Sequence, residues 1–431
     1  MRIFVVGAYG LIGAYVVARL SSDGHDLTGA GREITAASHR FPDVRWVRAD
    51  LRTTTVDEWR QALGQADAVV NCAGALQNSP RDDLRAVHAD GVRRLLEACG
   101  AAGVKRVVHV SAAGVAADRT TYFNATKLAG EAIVKNGGVD WTILRPGLVI
   151  APSAYGGTAL LRGLAAFPYF IPIVYPASII QIVSVEDVAA AVARSLQADA
   201  PTRISVDLVH AERLTLEQLA LELRRWLGLP KARALRLPAG LARVIAAGAD
   251  GLAYLGWRSP MRTAALEQLR AGVQGDPDAA GRDLGLRLRS LREILSGAPS
   301  GIQERWFSRL YFLKPAVLAA LFIFWLLSGL IALFVSPLEA AAVLARAGVP
   351  QSISAGAVIS ASLADIALAV AVIFRRTSAF ALQGMLFVTL AYAVGGSILR
   401  PDLWSDPLAP LLKIIPAAFL TMTAMAILDE R

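Results

Sequence analysis

The sequence predicts an α/β domain on a doubly wound parallel sheet, extended by a small, mostly helical region and followed by an all-α membrane bundle. Three observations carry that prediction. Strand-like apolar runs alternate with helical stretches over residues 1–150, a glycine triplet falls between the first strand and the first helix, and four long apolar spans fill the C-terminal part. Repeated βα units imply a parallel sheet with helices on both faces.

Taking the elements in order, residues 3–6 form a short buried-strand run. Gly7, Gly10 and Gly13 then fall three apart, where an apolar helical pattern through Val16, Val17 and Leu20 begins. Glycines let a backbone approach closely, and the open N–H groups of a first helical turn, at the positive end of its dipole, face an anion such as a pyrophosphate. Further strands are expected over 25–32, 44–51, 66–74, 105–114 and 141–150, with helices over 57–63, 84–101 and 127–134. A nucleotide in such a sheet sits at the carboxyl ends of the strands. From 151 to about 300 a smaller, mostly helical substrate region is expected, with Ser184 as N-cap of one helix and another helix over 214–227. Tyr155, Phe167, Tyr169, Phe170 and Tyr175 there either shape an apolar pocket or pack a core.

A chain of 431 residues holds two or three domains, and its 55% hydrophobic composition excludes a wholly soluble protein. Mean hydropathy is +0.46. Cys72 and Cys99 match neither a CxxC motif nor a disulfide framework, which fits a reducing, cytoplasmic setting. The net charge of +9 suits anionic lipid, and without an aromatic-plus-basic module nucleic acid is not expected. His25, His39, His88, His109 and His210 show no ligand spacing, so no metal is expected. The N-terminal apolar run, with its glycines and no small-residue cleavage site, reads as fold rather than signal peptide.

GAYGLIG at 7–13, Ala49-Asp50, NCAG at 71–74, VSAAG at 110–114, TKLAGE at 126–131 and LRPG at 144–147 together resemble the extended or atypical short-chain dehydrogenase/reductase superfamily. The spacing is similar to its branch that includes the nucleotide-binding accessory subunit of respiratory complex I. This resemblance, covering about the first 300 residues, implies an NAD(P)-binding Rossmann domain. It gives the pyrophosphate turn to Gly7, Ala8, Tyr9, Gly10, Leu11, Ile12 and Gly13, the adenine edge to Asp50 and Leu51, and the adenine ribose border to Ala73 and Gly74. A carboxylate ending the second strand bonds a ribose 2′-OH, whereas an arginine pairs with a 2′-phosphate. Here Gly31-Arg32 ends that strand, so NADP is expected. Glu33 follows and keeps NAD open, and Arg32 as an ordinary solvated arginine is the other reading.

Active members of the superfamily carry a serine after the fifth strand and a Tyr-x-x-x-Lys pair, in which the lysine and the cofactor ribose lower the tyrosine pKa for proton exchange. Ser111 and Lys127 fit, but Phe123 holds the tyrosine position and exchanges no proton. Tyr122 lies about 100° round a helix from that place and could serve only if the helix began later or carried a bulge. Without it, Lys127 still binds the nicotinamide ribose and Ser111 lines the pocket. Pro146, in Arg145-Pro146-Gly147, matches the turn beside the nicotinamide.

After a basic linker at 301–309, a membrane domain is expected over 310–431, with spans at 310–335, 353–374, 379–399 and 408–428. Each is long enough, at about 1.5 Å per residue, to cross roughly 30 Å of hydrocarbon. Arg305, Arg309, Lys314 and the Arg375-Arg376 turn put the N-terminal domain and the C-terminus in the cytoplasm, making a multi-pass protein of the cell (inner) membrane. The helix count, the Arg400-Pro401 end and the attached Rossmann domain resemble DoxX-like four-helix membrane domains. Lys413 can snorkel to the interface, and Asp365 is either a proton or quinone-head contact or a structural interhelical bond. Two functions follow. One is a membrane-anchored oxidoreductase or isomerase acting on a lipid, isoprenoid or quinone-like substrate at the cytoplasmic bilayer surface. The other is a dinucleotide-binding sensor or accessory or assembly subunit of a membrane redox complex without turnover, which Phe123 favours.

Overall fold

The structure is a computed structural model and describes residues 1–80, 82–116 and 121–428. The last three residues of the expected membrane domain, 429–431, lie outside the described residues. Two compact units form: Met1–Asp250 with Ser259–Ser308, and Gly251–Arg258 with Arg309–Arg431.

In the first unit, β1 (Arg2–Val6), β2 (Asp26–Gly31), β3 (Arg45–Arg48), β4 (Ala68–Asn71), β5 (Arg106–Val110) and β6 (Asp140–Pro146) alternate with α1 (Leu11–Ser22), α2 (Thr35–Arg40), α3 (Val56–Leu63), α4 (Gly91–Ala101) and α5 (Tyr122–Lys135). A π turn, Ala86–Asp90, leads into α4. Next come β7 (Leu148–Ile150), α6 (Gly156–Ala165), β8 (Phe170–Ile173), β9 (Ile179–Ile180), β10 (Ile182–Ser184), α7 (Val185–Ser195), β11 (Ile204–Leu208), β12 (Leu214–Thr215), α8 (Leu216–Trp226) and β13 (Arg233–Arg236). The unit closes with α9 (Ala239–Tyr254), whose residues from Gly251 on belong to the second unit, α10 (Thr263–Ala271), α11 (Ala279–Leu284) and α12 (Leu291–Gly297).

Among the described residues, the main sheet is seven-stranded in the order β11-β6-β5-β4-β1-β2-β3. Its pairings are parallel. Period-two alternation along β1 sends Ile3 and Val5 to a core with Val16, Val17 and Leu20 of α1 and Val188 and Val192 of α7. Phe4 and Val6 face the opposite core, with Trp59 and Leu63 of α3, Leu95 of α4 and Val134 of α5. The sheet is doubly wound, as the sequence implies.

The region after 150 is mostly helical, as expected, with short strands added. β11 adds an edge strand to the main sheet, and β7–β10, β9–β12 and β8–β13 form three small pairs. The run expected as one strand over 141–150 breaks at Gly147, whose N–H bonds Leu208 O at 2.9 Å, and β7 leaves to pair with β10. Ser184 does cap α7, accepting from Glu186 N at 3.2 Å.

Residues 301–309, expected as a linker, are helical from Ile302, because α13 (Ile302–Leu330) begins there. Within the second unit α13 runs on through a π turn to Val335. It is followed by α14 (Pro337–Ala345), α15 (Gln351–Ile373), α16 (Ser378–Leu399) and α17 (Ile414–Ala426). Among the described residues three segments are long and apolar enough to span a bilayer: 302–335, 351–373 and 378–399. Of the expected fourth span, 408–428, residues 414–426 are helical. Pro407, a left-handed Ala409 (φ 46°) and Pro410 precede α17, which is 13 residues long and covers roughly 20 Å. Trp325, Val372, Leu382 and Met385 form the bundle core, while Phe380, Phe387 and Ile398 point outward. Such an apolar exterior belongs against lipid. Asp365 is buried, accepting from Tyr392 OH at 3.2 Å between α15 and α16, and Lys413 is exposed at the start of α17. At one end of the bundle, Lys314 Nζ and Arg375 Nη2 both donate to Leu428 O, at 2.9 and 3.4 Å.

Candidate functional site

Strand register brings the site together. Val6, Asn71 and His109 lie side by side on β1, β4 and β5, so the glycine turn, the Cys72–Gly74 loop and Ser111 emerge along one carboxyl edge of the sheet. Gly7 is left-handed (φ 74°), and a Cβ there would stand 2.8 Å from Ala73 N. A Cβ on Gly13 would stand 2.1 Å from Gly7 O. Only glycine fits either place. Gly10 is the N-cap of α1 and carries no side-chain cap, so the amides of Leu11 and Ile12 face the turn. Ala8 is buried beneath. Tyr9 reaches over Gly31, and its hydroxyl accepts from Arg32 N and Glu33 N, both at 3.2 Å. Arg32 Nη1 donates to Asp82 at 2.8 Å.

Lys127 is brought in by α5, whose N-cap Thr121 accepts from Asn124 N at 3.2 Å. Its Nζ is buried, donates to Val110 O at 3.1 Å, and lies 3.3 Å from where a Cβ on Gly74 would stand. Burial lowers its pKa from 10.5 to about 8. Ser111, also buried, donates to Glu131 Oε1 at 2.7 Å. Glu131 is fully buried, accepts from Arg145 Nε at 2.8 Å and also pairs with Arg145 Nη2. Burial works to raise its pKa, but the hydrogen bonds from Arg145 and Ser111 outweigh it and hold the carboxyl below the usual range. Pro146, buried, accepts from Ala113 N at 2.8 Å and braces the loop after Ser111.

Other expected residues stand differently. Tyr122 opens α5 half exposed, at 51%, and the helix is regular with no bulge to turn it inward. α5 starts at Tyr122 itself, so the later helix start that would let Tyr122 serve is not seen either. Phe123 packs edge-on to His88 instead, ring centroids 5.6 Å apart. Asp50 is taken up by Arg52, at 2.6 Å, and the Leu51 side chain is buried in the core below.

Sequence reasoning missed Glu131, although it falls four residues after Lys127 and so on the same side of α5. It also missed two histidines. Ala75 N donates to His88 Nε2 at 3.2 Å, which leaves the ring proton on Nδ1 facing Thr126 Oγ1 at 3.0 Å. Burial beside Lys127 lowers its pKa to about 2. Asn71 Oδ1 accepts from Ala73 N, so its Nδ2 faces His109 Nδ1 at 3.1 Å. His109 Nε2 is buried and has no partner among the described residues.

Comparison with known proteins agrees with this geometry. A family model described as NAD(P)H-binding matches residues 7–199. The UPF0659 protein YMR090W of Saccharomyces cerevisiae is 32% identical over 176 residues, 38% of this chain and 75% of that protein. The chain belongs to the NAD(P)H-binding family. A second model, for the DoxX-like family, matches residues 322–422. The mitochondrial NADH-ubiquinone oxidoreductase 40 kDa subunit of Neurospora crassa is 30% identical over 147 residues, 33% of this chain and 39% of that subunit. Sterol demethylase protein B of Methylococcus capsulatus is 26% identical over 330 residues, 71% of this chain and 99% of that protein. Among solved structures, Bordetella bronchiseptica WbmG in complex with NAD matches with a TM-score of 0.52 and 18% identity, over 69% of this chain and 92% of that one. This likeness shows the fold. The residues of this NAD(P)H-binding chain fit the cofactor on their own account: a Cβ at Gly7 or Gly13 would fill the cradle, and the buried Lys127 ammonium keeps hydrogen-bonding capacity beyond its one carbonyl.

Proposed function

We propose that this protein is a membrane-anchored, NADP(H)-dependent oxidoreductase or isomerase acting on an apolar lipid, such as a sterol, isoprenoid or quinone, at the cytoplasmic face of the membrane. The observation that carries the reading is Lys127, a buried ammonium at the rim of the glycine cradle. A nicotinamide bound there supplies hydride exchange. Lys127 Nζ donates to its ribose, Ser111 lines the pocket, and the turn from Gly7 to Gly13 takes the pyrophosphate. With Phe123 in place of the phenol, Lys127, held near pKa 8, is the group able to hold or release a proton at neutral pH.

Arg32 supports NADP: β2 ends at Gly31 with Arg32 next and no carboxylate among Ala30, Gly31 and Arg32, and Asp82 pairs with the guanidinium. The apolar substrate class is supported by the outward-facing bundle and by likeness over nearly the full length of a protein named for sterol demethylation. The gathering of Lys314, Arg375 and Leu428 at one bundle end supports a cytoplasmic placement of that end. One observation favours a second reading, dinucleotide binding without turnover as a sensor or accessory subunit: Phe123, packed on His88, fills the place of the proton donor.

Titrating the detergent-purified protein with NADPH and NADH, by nicotinamide fluorescence, tests the proposal. NADPH is expected to bind about tenfold or more tighter, the preference disappearing in Arg32→Ala. Tighter NADH would overturn the cofactor assignment, and binding of neither would overturn the site. Binding without turnover of any sterol, isoprenoid alcohol or quinone would leave the second reading standing.

A further inference from the structure

Helix α9 is apolar almost all the way round. Ala242, Ala246, Ala249 and Ala253 form its buried stripe, with the spacing of one packed helix face. The rest is exposed and also apolar: Leu241, Val244, Ile245, Leu252 and Tyr254, with Val244 at 71% and Tyr254 at 81%. Its two charged residues are Arg243, exposed, and Asp250, which pairs with Arg262 at 2.7 Å. A helix with two apolar faces is stable when something covers the second face.

What covers it is indicated by the chain on either side. The last residues of α9 and those that follow, Gly251–Arg258, belong to the apolar unit. There Trp257 Nε1 donates to Ile373 O at 2.5 Å, Arg375 N donates to Leu255 O at 3.0 Å, and the Arg375 guanidinium lies over the Trp257 ring at 5.8 Å. This is the end of the bundle that gathers Lys314, Arg375 and Leu428, and Tyr254 and Trp257 are the residue types that settle at a membrane–water boundary. Arg233, Arg236, Arg243 and Arg258 are exposed along the same stretch. The geometry points to α9 as an interfacial helix that lays Leu241, Val244, Ile245 and Leu252 into an anionic bilayer surface.

The consequence reaches the candidate site. The segment after α9 borders it: Gln77 Nε2, in the loop after β4, donates to Ser259 O at 2.9 Å, and Gln268 Nε2 of α10 donates to Thr121 Oγ1, the cap of the helix that carries Lys127, at 2.6 Å. A lipid-bound α9 is therefore followed by a segment that hydrogen-bonds two parts of the candidate site's surroundings. This rests on the proposal that the bundle spans a membrane, and the test separates the two.

The full chain, reconstituted in phosphatidylcholine–phosphatidylglycerol vesicles, is spin-labelled at Val244→Cys, at Phe387→Cys on the bundle exterior and at Asp57→Cys on the exposed start of α3. The unsubstituted protein controls for Cys72 and Cys99. Collision with oxygen, which concentrates in lipid, is compared with collision with a water-soluble nickel chelate. The Val244 label is expected to resemble Phe387, favouring oxygen, and to differ from Asp57. A Val244 label as open to nickel as Asp57, with Phe387 still in lipid, overturns the inference alone. Water exposure at Phe387 overturns the membrane reading itself. Spin–spin broadening at Val244 that persists in dilute vesicles assigns the face to a second copy and overturns lipid as the occupant.

Discussion

Replacing Lys127 by methionine removes a charge that the fold buries at a cost and that the candidate site requires. Burial holds the folded ammonium near pKa 8, against 10.5 for the free group. At about 1.4 kcal/mol for each tenfold change, that corresponds to roughly 3 kcal/mol of instability at pH 7. The sign follows from which state holds the proton. The unfolded lysine keeps its proton to about pH 10.5, whereas the folded one releases it near 8, so the wild-type fold gains stability as pH rises across that interval. Lys127→Met, isosteric and uncharged, should therefore raise the melting temperature of the cofactor-free protein most below pH 8. The advantage should shrink by about 2 kcal/mol between pH 7 and 9.5, or roughly 3 °C of melting temperature for a unit of this size. Thermal unfolding of the detergent-solubilised full chain at both pH values reads this. A variant that melts lower than wild type at pH 7, or a gain equal at both pH values, would refute the claim that Lys127 is a strained, desolvated cation kept for binding. The same variant should lose most of its NADPH affinity.

Other perturbations test the surrounding structure. Glu131→Ala leaves Arg145 half-paired and Ser111 without its acceptor, and should cost about 3 kcal/mol or more by thermal melting. Because the Glu131 carboxyl is held below its usual range, its contribution should be complete above about pH 4.5 and fall away as the pH drops further, so the acid-unfolding midpoint of wild type, and not of the variant, should report it. Phe123→Tyr places a phenol four residues before Lys127 and should bring measurable NADPH-dependent reduction of simple carbonyls; unchanged activity would mean that the position has been rebuilt around His88. Asp365→Asn preserves an acceptor for Tyr392 and should stay monodisperse, whereas Asp365→Leu strands that hydroxyl and should lower the melting temperature of the bundle.

Much of the fold could be read from the chain because its signals are local. The glycine triplet, the apolar strand runs and the NCAG and VSAAG stretches each mark a strand end, and the structure sets those ends beside one another. Long-range pairings were less visible. β11, five residues in a region dominated by helical patterns, becomes a strand by pairing with β6, some sixty residues earlier in sequence. The helix expected over 408–428 begins only at Ile414: apolar composition satisfies a hydropathy count, but Pro410 and the left-handed Ala409 keep the residues before it out of the helix. At the site, Lys127 and Ser111 could be picked out by motif. Glu131, which fixes both Ser111 and Arg145, is marked out by its burial, which depends on the packing of α5 against β5 and β6.

Glu131 and Lys127 act on α5 like two keys in a shaft. One is fastened through Arg145 and Ser111, the other through Val110 O, and together they leave the helix no freedom to rotate. Tyr122, at the start of the same helix, is thereby held in its half-exposed place. Position 123 sits beside the lock without being part of it, so its side chain can change the chemistry of the site while the helix stays in register. A protein built this way can lose a proton donor, or regain one, in a single substitution without refolding anything around it.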